Sequence, residues 1–275
     1  MRRSLLFIPG NNPSMIQTGA LFSPDAIIFD LEDAVAPGEK DSARELVFSF
    51  LKEKPYDNIE IIVRINDYHS DYYQDDIKMV TSSVDTLMIP KASYDDLLAI
   101  INDLEKLKLD VNLIPIIELA SSLLEVEKIA SLSQVNGILL GAEDLTKDME
   151  IVRSDSGIEL LYPRSKISYA AKAYKIDAID TPYPNVRRED LLINECELAL
   201  SLGMNAKACI HPNQVAIVNE KFSPSKEMVS YALKVLDAAK THKGAFSLDG
   251  KMIDKPIIER CEKVIAKAKK FGMIV

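Results

Sequence analysis

Short apolar runs alternate with longer amphipathic stretches from one end of this sequence to the other. A strand covered on both faces reads as a continuous apolar run, and the helix lying over it shows a single apolar stripe, so the alternation predicts strand–helix units and a parallel sheet. Eight such runs are legible, at 4–8, 26–31, 60–65, 86–89, 113–117, 137–140, 178–180 and 206–210. Eight parallel strands close a (β/α)8, or TIM, barrel. The segments 41–52, 94–107, 121–130, 160–174 and 191–202 have helical periodicity. Asn12-Pro13 predicts a further helix start, since Asn can cap free amides and Pro suits the first turn. At 275 residues and 47% hydrophobic content the chain can bury one large core. The expected fold is α/β, a TIM barrel over residues 1–224.

Two more helical segments follow the eighth run, at 225–241 and 256–270, joined by a polar connector from Lys243 to Gly250. A barrel closes without them, so 225–275 is expected to be a helical extension that packs elsewhere, on a neighbouring subunit.

No run approaches the roughly 18 apolar residues of a membrane helix, and Met1-Arg2-Arg3 leads into a strand-like run rather than a signal peptide. The three cysteines are widely spaced with no CxxC pattern, which fits a reducing, cytoplasmic setting. A net charge of −9 without a basic patch argues against nucleic acid, while a small anion needs only a few local cations.

Charged residues at the downstream ends of buried parallel strands are informative, because that face of a TIM barrel holds the active site. The second run leads into Asp30, Glu32 and Asp33, and the third carries Arg64 and reaches Asn66 and Asp67. The later runs end at Lys91, Glu118, Glu143 and Asp144, Asp180 and His211. Crowded carboxylates must be relieved by protons or by a cation. With oxygen donors and neither Cys nor paired His nearby, the expected cation is Mg2+ or Mn2+. Glu118 and Asp144, on adjacent strands, are the best ligand pair. Arg64 can hold a substrate carboxylate or offset an enolate charge, or it can be a structural salt bridge to Glu32 or Asp33.

Several segments in this order resemble the citrate lyase beta subunit and the citramalyl-CoA and malyl-CoA lyases of the HpcH/HpaI aldolase superfamily. They are Arg3-Ser4-Leu5-Leu6-Phe7-Ile8-Pro9-Gly10-Asn11, Phe29-Asp30-Leu31-Glu32-Asp33-Ala34-Val35, Val63-Arg64-Ile65-Asn66, Ile117-Glu118 and Gly141-Ala142-Glu143-Asp144-Leu145. The stretch from Arg153-Ser154 to Leu161, Ala178-Ile179-Asp180-Thr181, Ile210-His211-Pro212 and Asp249-Gly250-Lys251-Met252-Ile253-Asp254 complete the likeness. The resemblance implies a magnesium-dependent lyase that splits citryl-CoA or (S)-citramalyl-CoA into acetyl-CoA and oxaloacetate or pyruvate. It implies that Glu118 and Asp144 ligate the metal, with Glu118 also at the substrate, and that Arg64 binds substrate and stabilises developing charge. Asp254 is then a catalytic acid or base reaching a neighbouring subunit's site. Pro9, Gly10 and Asn11 become substrate-binding residues, and Arg3, Lys40 and Arg44 candidates for the CoA phosphates. The implied assembly is a homo-oligomer, trimer or hexamer, with acyl-carrier and transferase subunits as possible companions.

The departures bear on substrate. His211 stands where beta subunits tend to have Asn, and Pro182 follows Thr181 where they generally have Val, whereas 153–157 and 250–254 are close to the beta-subunit form. Malyl-CoA lyase activity is one alternative, and a non-catalytic CoA-ester-binding or scaffolding subunit is another. A free-pyruvate hydroxy-acid aldolase is disfavoured, because those enzymes end an Asp-x-Glu-His motif in His where this chain has Asp33.

Overall fold

The computed structural model describes residues 1–53, 56, 58–242 and 244–274. Strands β1 (Ser4–Pro9), β2 (Ala26–Asp30), β3 (Glu60–Arg64), β4 (Thr86–Ile89), β5 (Asn112–Ile117), β6 (Gly137–Leu140), β7 (Asp177–Asp180) and β8 (Ala206–Cys209) form a closed parallel barrel in chain order. β8 pairs back onto β1, so none of the eight is an edge strand. The eight apolar runs become these eight strands with ends shifted by a residue at most, because each is buried along nearly its whole length.

Helices α1 (Pro13–Thr18), α2 (Lys40–Lys52), α3 (Tyr73–Met79), α4 (Tyr94–Lys106), α5 (Ala120–Leu124), α6 (Val126–Ala130), α7 (Ala142–Asp148), α8 (Leu161–Tyr174), α9 (Glu189–Ser201) and α10 (Pro212–Phe222) occupy the connections between and after the strands. Asn12 caps α1 as the Asn-Pro pair predicts, its side chain accepting the Met15 N–H at 3.1 Å. The single helix expected over 121–130 is two short ones. At Glu125 (φ −102, ψ 5) the helix is interrupted, the Glu125 N–H donating to Ser122 O at 3.1 Å.

Alternate residues of the strands form one buried cluster: Leu5, Ala26, Ile28, Ile62, Met88, Ile114, Ile116, Leu139, Ile179, Ala206 and Ala208. Strand side chains alternate between faces, so this set is the barrel interior, and the same parity assigns every other strand residue to inside or outside. Below the apolar layers, at the upstream end, Arg2 closes the barrel. Its guanidinium pairs with Glu60 at 2.5 Å and Asp177 at 2.9 Å.

The chain divides into two compact units, Met1–Asn219 and Glu220–Val275. In the second, α11 (Lys226–Ala239) and α12 (Lys255–Lys270) enclose a small core of Ala232, Val235, Ile253 and Cys261. The expected polar connector is instead an antiparallel hairpin of β9 (Phe246–Leu248) and β10 (Lys251–Ile253). Its two-residue turn is Asp249-Gly250, both at positive φ, 49° and 76°, the turn whose twist suits a hairpin. Lys243, the first residue of that expected connector, lies outside the described residues. Cys196, Cys209 and Cys261 are buried and in no disulfide, and among the described residues no helix is long and apolar enough to cross a membrane.

Candidate active site at the downstream end of the barrel

Continuing the inward parity one step past the apolar layers brings Asp30 from β2, Arg64 from β3 and Glu118 from the end of β5 to the barrel mouth. Asp30 and Arg64 are register partners on adjacent strands. They form a bidentate pair, Nε to Oδ1 at 2.8 Å and Nη2 to Oδ2 at 2.6 Å, which fixes both the plane and the position of the guanidinium. The third edge of Arg64 faces Glu32 Oε2 at 2.8 Å and Asp33 Oδ2 at 3.6 Å, and the ring of Phe7 lies 5.1 Å away. The structural salt bridge read from the sequence is therefore present. Its main partner, however, is Asp30, the register partner of Arg64 on β2, and not Glu32 or Asp33 as the sequence suggests.

The turn after β2 is built around the same Asp30, which accepts the N–H groups of Glu32 at 2.9 Å and Ala34 at 3.2 Å. Gly10, after β1, lets that turn approach, since a Cβ there would stand 2.7 Å from the Asp30 carbonyl oxygen. Its own N–H donates to that oxygen at 2.8 Å. Pro9 ends β1, and Asn11 donates to Glu39 at 2.7 Å.

Glu118 is 4% exposed, and its Oε1 accepts the backbone N–H of Lys91 at 2.6 Å. Burial pushes its carboxyl up to about 7, against the lowering by that N–H, and the charges of Glu32 and Asp144 add to the rise. Glu32 is likewise pushed up to about 7 by burial, with Arg64 opposing and Asp33 and Asp30 reinforcing. Asp144, in the first turn of α7 after β6, is thus close enough for its charge to act on Glu118. Arg64 behaves in the opposite sense: burial disfavours its charge, but Asp30, Glu32 and Asp33 outweigh that and raise its pKa.

The residues present suit a hard divalent cation. Glu118 offers a buried carboxylate, and its Oε2 fills the place that a side chain at Gly141 would take, 2.8 Å from where the Cβ would stand. No group of three or more His, Cys, Asp or Glu forms a complete metal cage among the described residues. A pair of carboxylates meets the habit of magnesium, which takes one or two and leaves the other positions to water and substrate.

Beside this cluster opens a cleft of about 340 Å³ whose lining includes Glu32, Lys40, Asn66, Asp67, Tyr72 and Lys91. The three cations expected to meet CoA phosphates are engaged elsewhere. Arg3 is not at the mouth: it precedes β1, hence stands at the upstream end, and is held by Asp25 at 2.7 Å. Lys40 reaches the cleft wall, but its Nζ donates to the carbonyls of Leu31 and Glu32 at 2.8 and 2.7 Å and so fastens the β2 turn. Arg44 is buried against Asp76 at 2.7 Å and Asp41 at 2.8 Å.

Asp180 is also not a rim carboxylate. Its parity is outward, and it is sealed under α8 and α9 by Arg164 at 2.8 Å and Lys207 at 2.7 Å. His211 is turned onto the backbone, its Nδ1 accepting the Asn213 N–H at 3.2 Å. Asp254 belongs to the second unit, where its Oδ1 caps α12 by accepting the Ile257 N–H at 3.2 Å.

Comparison with known proteins agrees along the whole chain. Residues 3–212 match the family described as HpcH/HpaI aldolase/citrate lyase, and residues 158–273 match one described as C-C bond lyase of the TIM-barrel fold. Citrate lyase subunit beta of Haemophilus influenzae is 38% identical over 283 residues, 98% of this chain and 97% of the relative. The mitochondrial citramalyl-CoA lyase of Homo sapiens is 30% identical over 290 residues, 97% of this chain and 85% of the relative. Among solved structures, Mycobacterium tuberculosis CitE in complex with magnesium, acetoacetate and coenzyme A superposes with a TM-score of 0.83 at 28% identity, covering 98% of each chain. The citrate lyase beta subunit of the same organism, complexed with oxaloacetate and magnesium, gives 0.71 at 26% identity, over 81% of this chain and 97% of the other.

Proposed function

The chain belongs to the HpcH/HpaI aldolase/citrate lyase family, and from that premise we propose that it is a magnesium-dependent lyase cleaving a 3-hydroxyacyl-CoA, citryl-CoA or (S)-citramalyl-CoA, into acetyl-CoA and oxaloacetate or pyruvate. The observation that supports this most is the meeting at one barrel mouth of a pre-aligned guanidinium, Arg64, with the buried carboxyl of Glu118 and the nearby charge of Asp144. Relatives named citrate lyase subunit beta and citramalyl-CoA lyase, and neighbours holding magnesium with acetoacetate, oxaloacetate or coenzyme A, agree with it.

Glu118 and Asp144 would hold the metal, which when bound supplies Lewis acidity toward the hydroxyl and carboxylate of the departing keto-acid half. In the reaction the carbinol oxygen loses its proton, the bond to the acyl α-carbon breaks, and its electron pair becomes a thioester enolate. Arg64 is fixed by Asp30 before substrate arrives, so its charge is in place as negative charge develops and no reorganisation is needed. Protonation at the enolate carbon completes acetyl-CoA, and Asp254 is the acid assigned to that step.

Asp254 is proposed to act on a neighbouring copy in a homo-oligomer. Two features support such an assembly. The charge is split, with residues 220–275 carrying 12 Lys and Arg against 7 Asp and Glu while residues 1–219 carry 21 against 35. The first unit also has an apolar cavity of about 330 Å³ whose lining includes the exposed side chains of Leu124, Met149, Ile151 and Tyr162. Buried cysteines outside any disulfide suit a reducing compartment such as the cytoplasm.

Purified protein with Mg2+ is assayed side by side on citryl-CoA, (S)-citramalyl-CoA and malyl-CoA. The expected result is release of acetyl-CoA from one of the first two, abolished by a chelator. Absence of metal-dependent cleavage of all three esters would favour the scaffolding alternative.

A further inference from the structure

Two residues that are not themselves metal-ligand candidates shape the one carboxylate on which the metal site depends most. Lys91, just past β4, has φ 47°, a left-handed conformation that a residue with a side chain adopts only against steric resistance. Its N–H is thereby turned onto Glu118 Oε1 at 2.6 Å. On the other side of the same carboxyl, the backbone of Gly141 is so close that a Cβ would stand 2.7 Å from Glu118 Cβ, 2.8 Å from Oε2 and 2.8 Å from Ile116 Cγ2. Gly141 has φ −92°, which any residue can adopt, so the glycine is required by the close approach and not by the turn. Glu118 is held between one oriented amide and one missing side chain.

We infer that Lys91, through its backbone N–H, and Gly141, through the space it leaves, are positioning residues that set the cation affinity of Glu118. The inference rests on the reading of Glu118 as a metal ligand. Outer partners that orient a ligand change metal affinity about 10- to 100-fold when removed. The Lys91 ammonium itself pulls the opposite way. It is 44% exposed and lies 3.6 Å from Glu32 and Asp67, so it is a like charge beside the proposed cation and opposes its binding.

That opposition gives a test in which side chain and backbone have different signs. The full-length protein is titrated with Mn2+, free ion being read by its paramagnetic resonance signal, so no turnover is needed. Lys91→Met keeps the N–H and removes the charge, and is expected to bind Mn2+ as tightly as wild type or up to about 3-fold more tightly. Lys91→Gly, which keeps the N–H and relaxes the left-handed turn, is expected to behave in the same way. Lys91→Pro cannot donate and cannot take that φ, and is expected to weaken binding about 10- to 100-fold. If Lys91→Pro does not fold, Lys91→Ile, whose β-branch resists positive φ, and Gly141→Ala are expected to weaken binding about 10-fold with a cooperative melt retained. Wild-type affinity in folded Lys91→Pro, or in folded Lys91→Ile and Gly141→Ala, would overturn the inference alone, as would equal weakening by Lys91→Met. Wild type that binds no Mn2+ would overturn it together with the metal reading.

Discussion

Two groups of charged side chains occupy the same barrel and obey opposite rules. At the mouth six carboxylates (Asp30, Glu32, Asp33, Asp67, Glu118 and Asp144) face the three cations Arg64, Lys40 and Lys91. Under α8 and α9 two carboxylates meet two cations, Asp180 and Glu195 against Arg164 and Lys207. The consequence is visible in protonation. Burial dominates at the mouth and pushes Glu32 and Glu118 up to about 7. In the sealed group burial presses the same way on Asp180, yet Lys207 and Arg164 overcome it and hold the carboxyl below its usual range. Position at a strand end is common to both, so position alone does not mark a site. Parity and charge balance do, because an excess of carboxylate is a debt that only a ligand or a proton can settle.

The comparison breaks most decisively under substitution. Asp144→Ala is expected to take metal-dependent turnover below detection and leave the melting temperature nearly unchanged, since the residue is half-exposed and its one ion pair among the described residues, to Lys147, is 4.0 Å long. Asp180→Ala is expected to do the reverse. It leaves Lys207 and Arg164, both 0% exposed, with Glu195 as the one carboxylate between two buried cations, and should cost about 3–5 kcal/mol in urea unfolding. If Asp144→Ala unfolded the barrel and Asp180→Ala left it stable, the assignment of the two groups would be exchanged.

A smaller effect sharpens the contrast. Mg2+ at about 100 times its Kd should stabilise the wild type by about 2.7 kcal/mol and a Glu118→Gln variant hardly at all. Without cation, Glu118 binds its proton more tightly folded than unfolded. Its contribution to stability is therefore fully present below pH 4.5 and lost as pH rises through about 7. A cation needs the ionised carboxylate, so the rise in melting temperature caused by Mg2+ should be larger at pH 8 than at pH 6. A gain independent of pH would detach Glu118 from the metal.

The barrel was legible in the sequence because each strand is buried on both faces, so that runs such as 26–31 and 86–89 stand out from their surroundings. The mouth residues Arg64, Glu118 and Asp144 were legible too, since a charge ending such a run needs explaining. What separates them from Asp180 is an alternation that can be counted only once the strand's inward residues are known. α7 was missed because Ala142–Asp148 is short and polar and has little apolar stripe. The hairpin could have been found, as Asp249-Gly250 between Phe246–Leu248 and Lys251–Ile253 is a strong two-residue turn signal. The contribution of Lys91 is a backbone amide aimed by a dihedral angle, and no residue type announces that. For Asp254 the local pattern supplies only the helix cap that the structure contains.

The two lysines near the mouth have a chemical consequence for a protein proposed to release an activated acetyl group. A thioester transfers its acyl group to an unprotonated amine, so a nearby lysine risks being labelled by the enzyme's own product. Burial weakens Lys91's hold on its proton, but Glu32, Asp67 and Glu118 outweigh this and raise its pKa, leaving the half-exposed amine without a lone pair to attack with. Lys40 is in the reverse situation: burial lowers its pKa, but the residue is 7% exposed and its nitrogen already donates to two carbonyls. One amine is kept inert by charge and the other by enclosure.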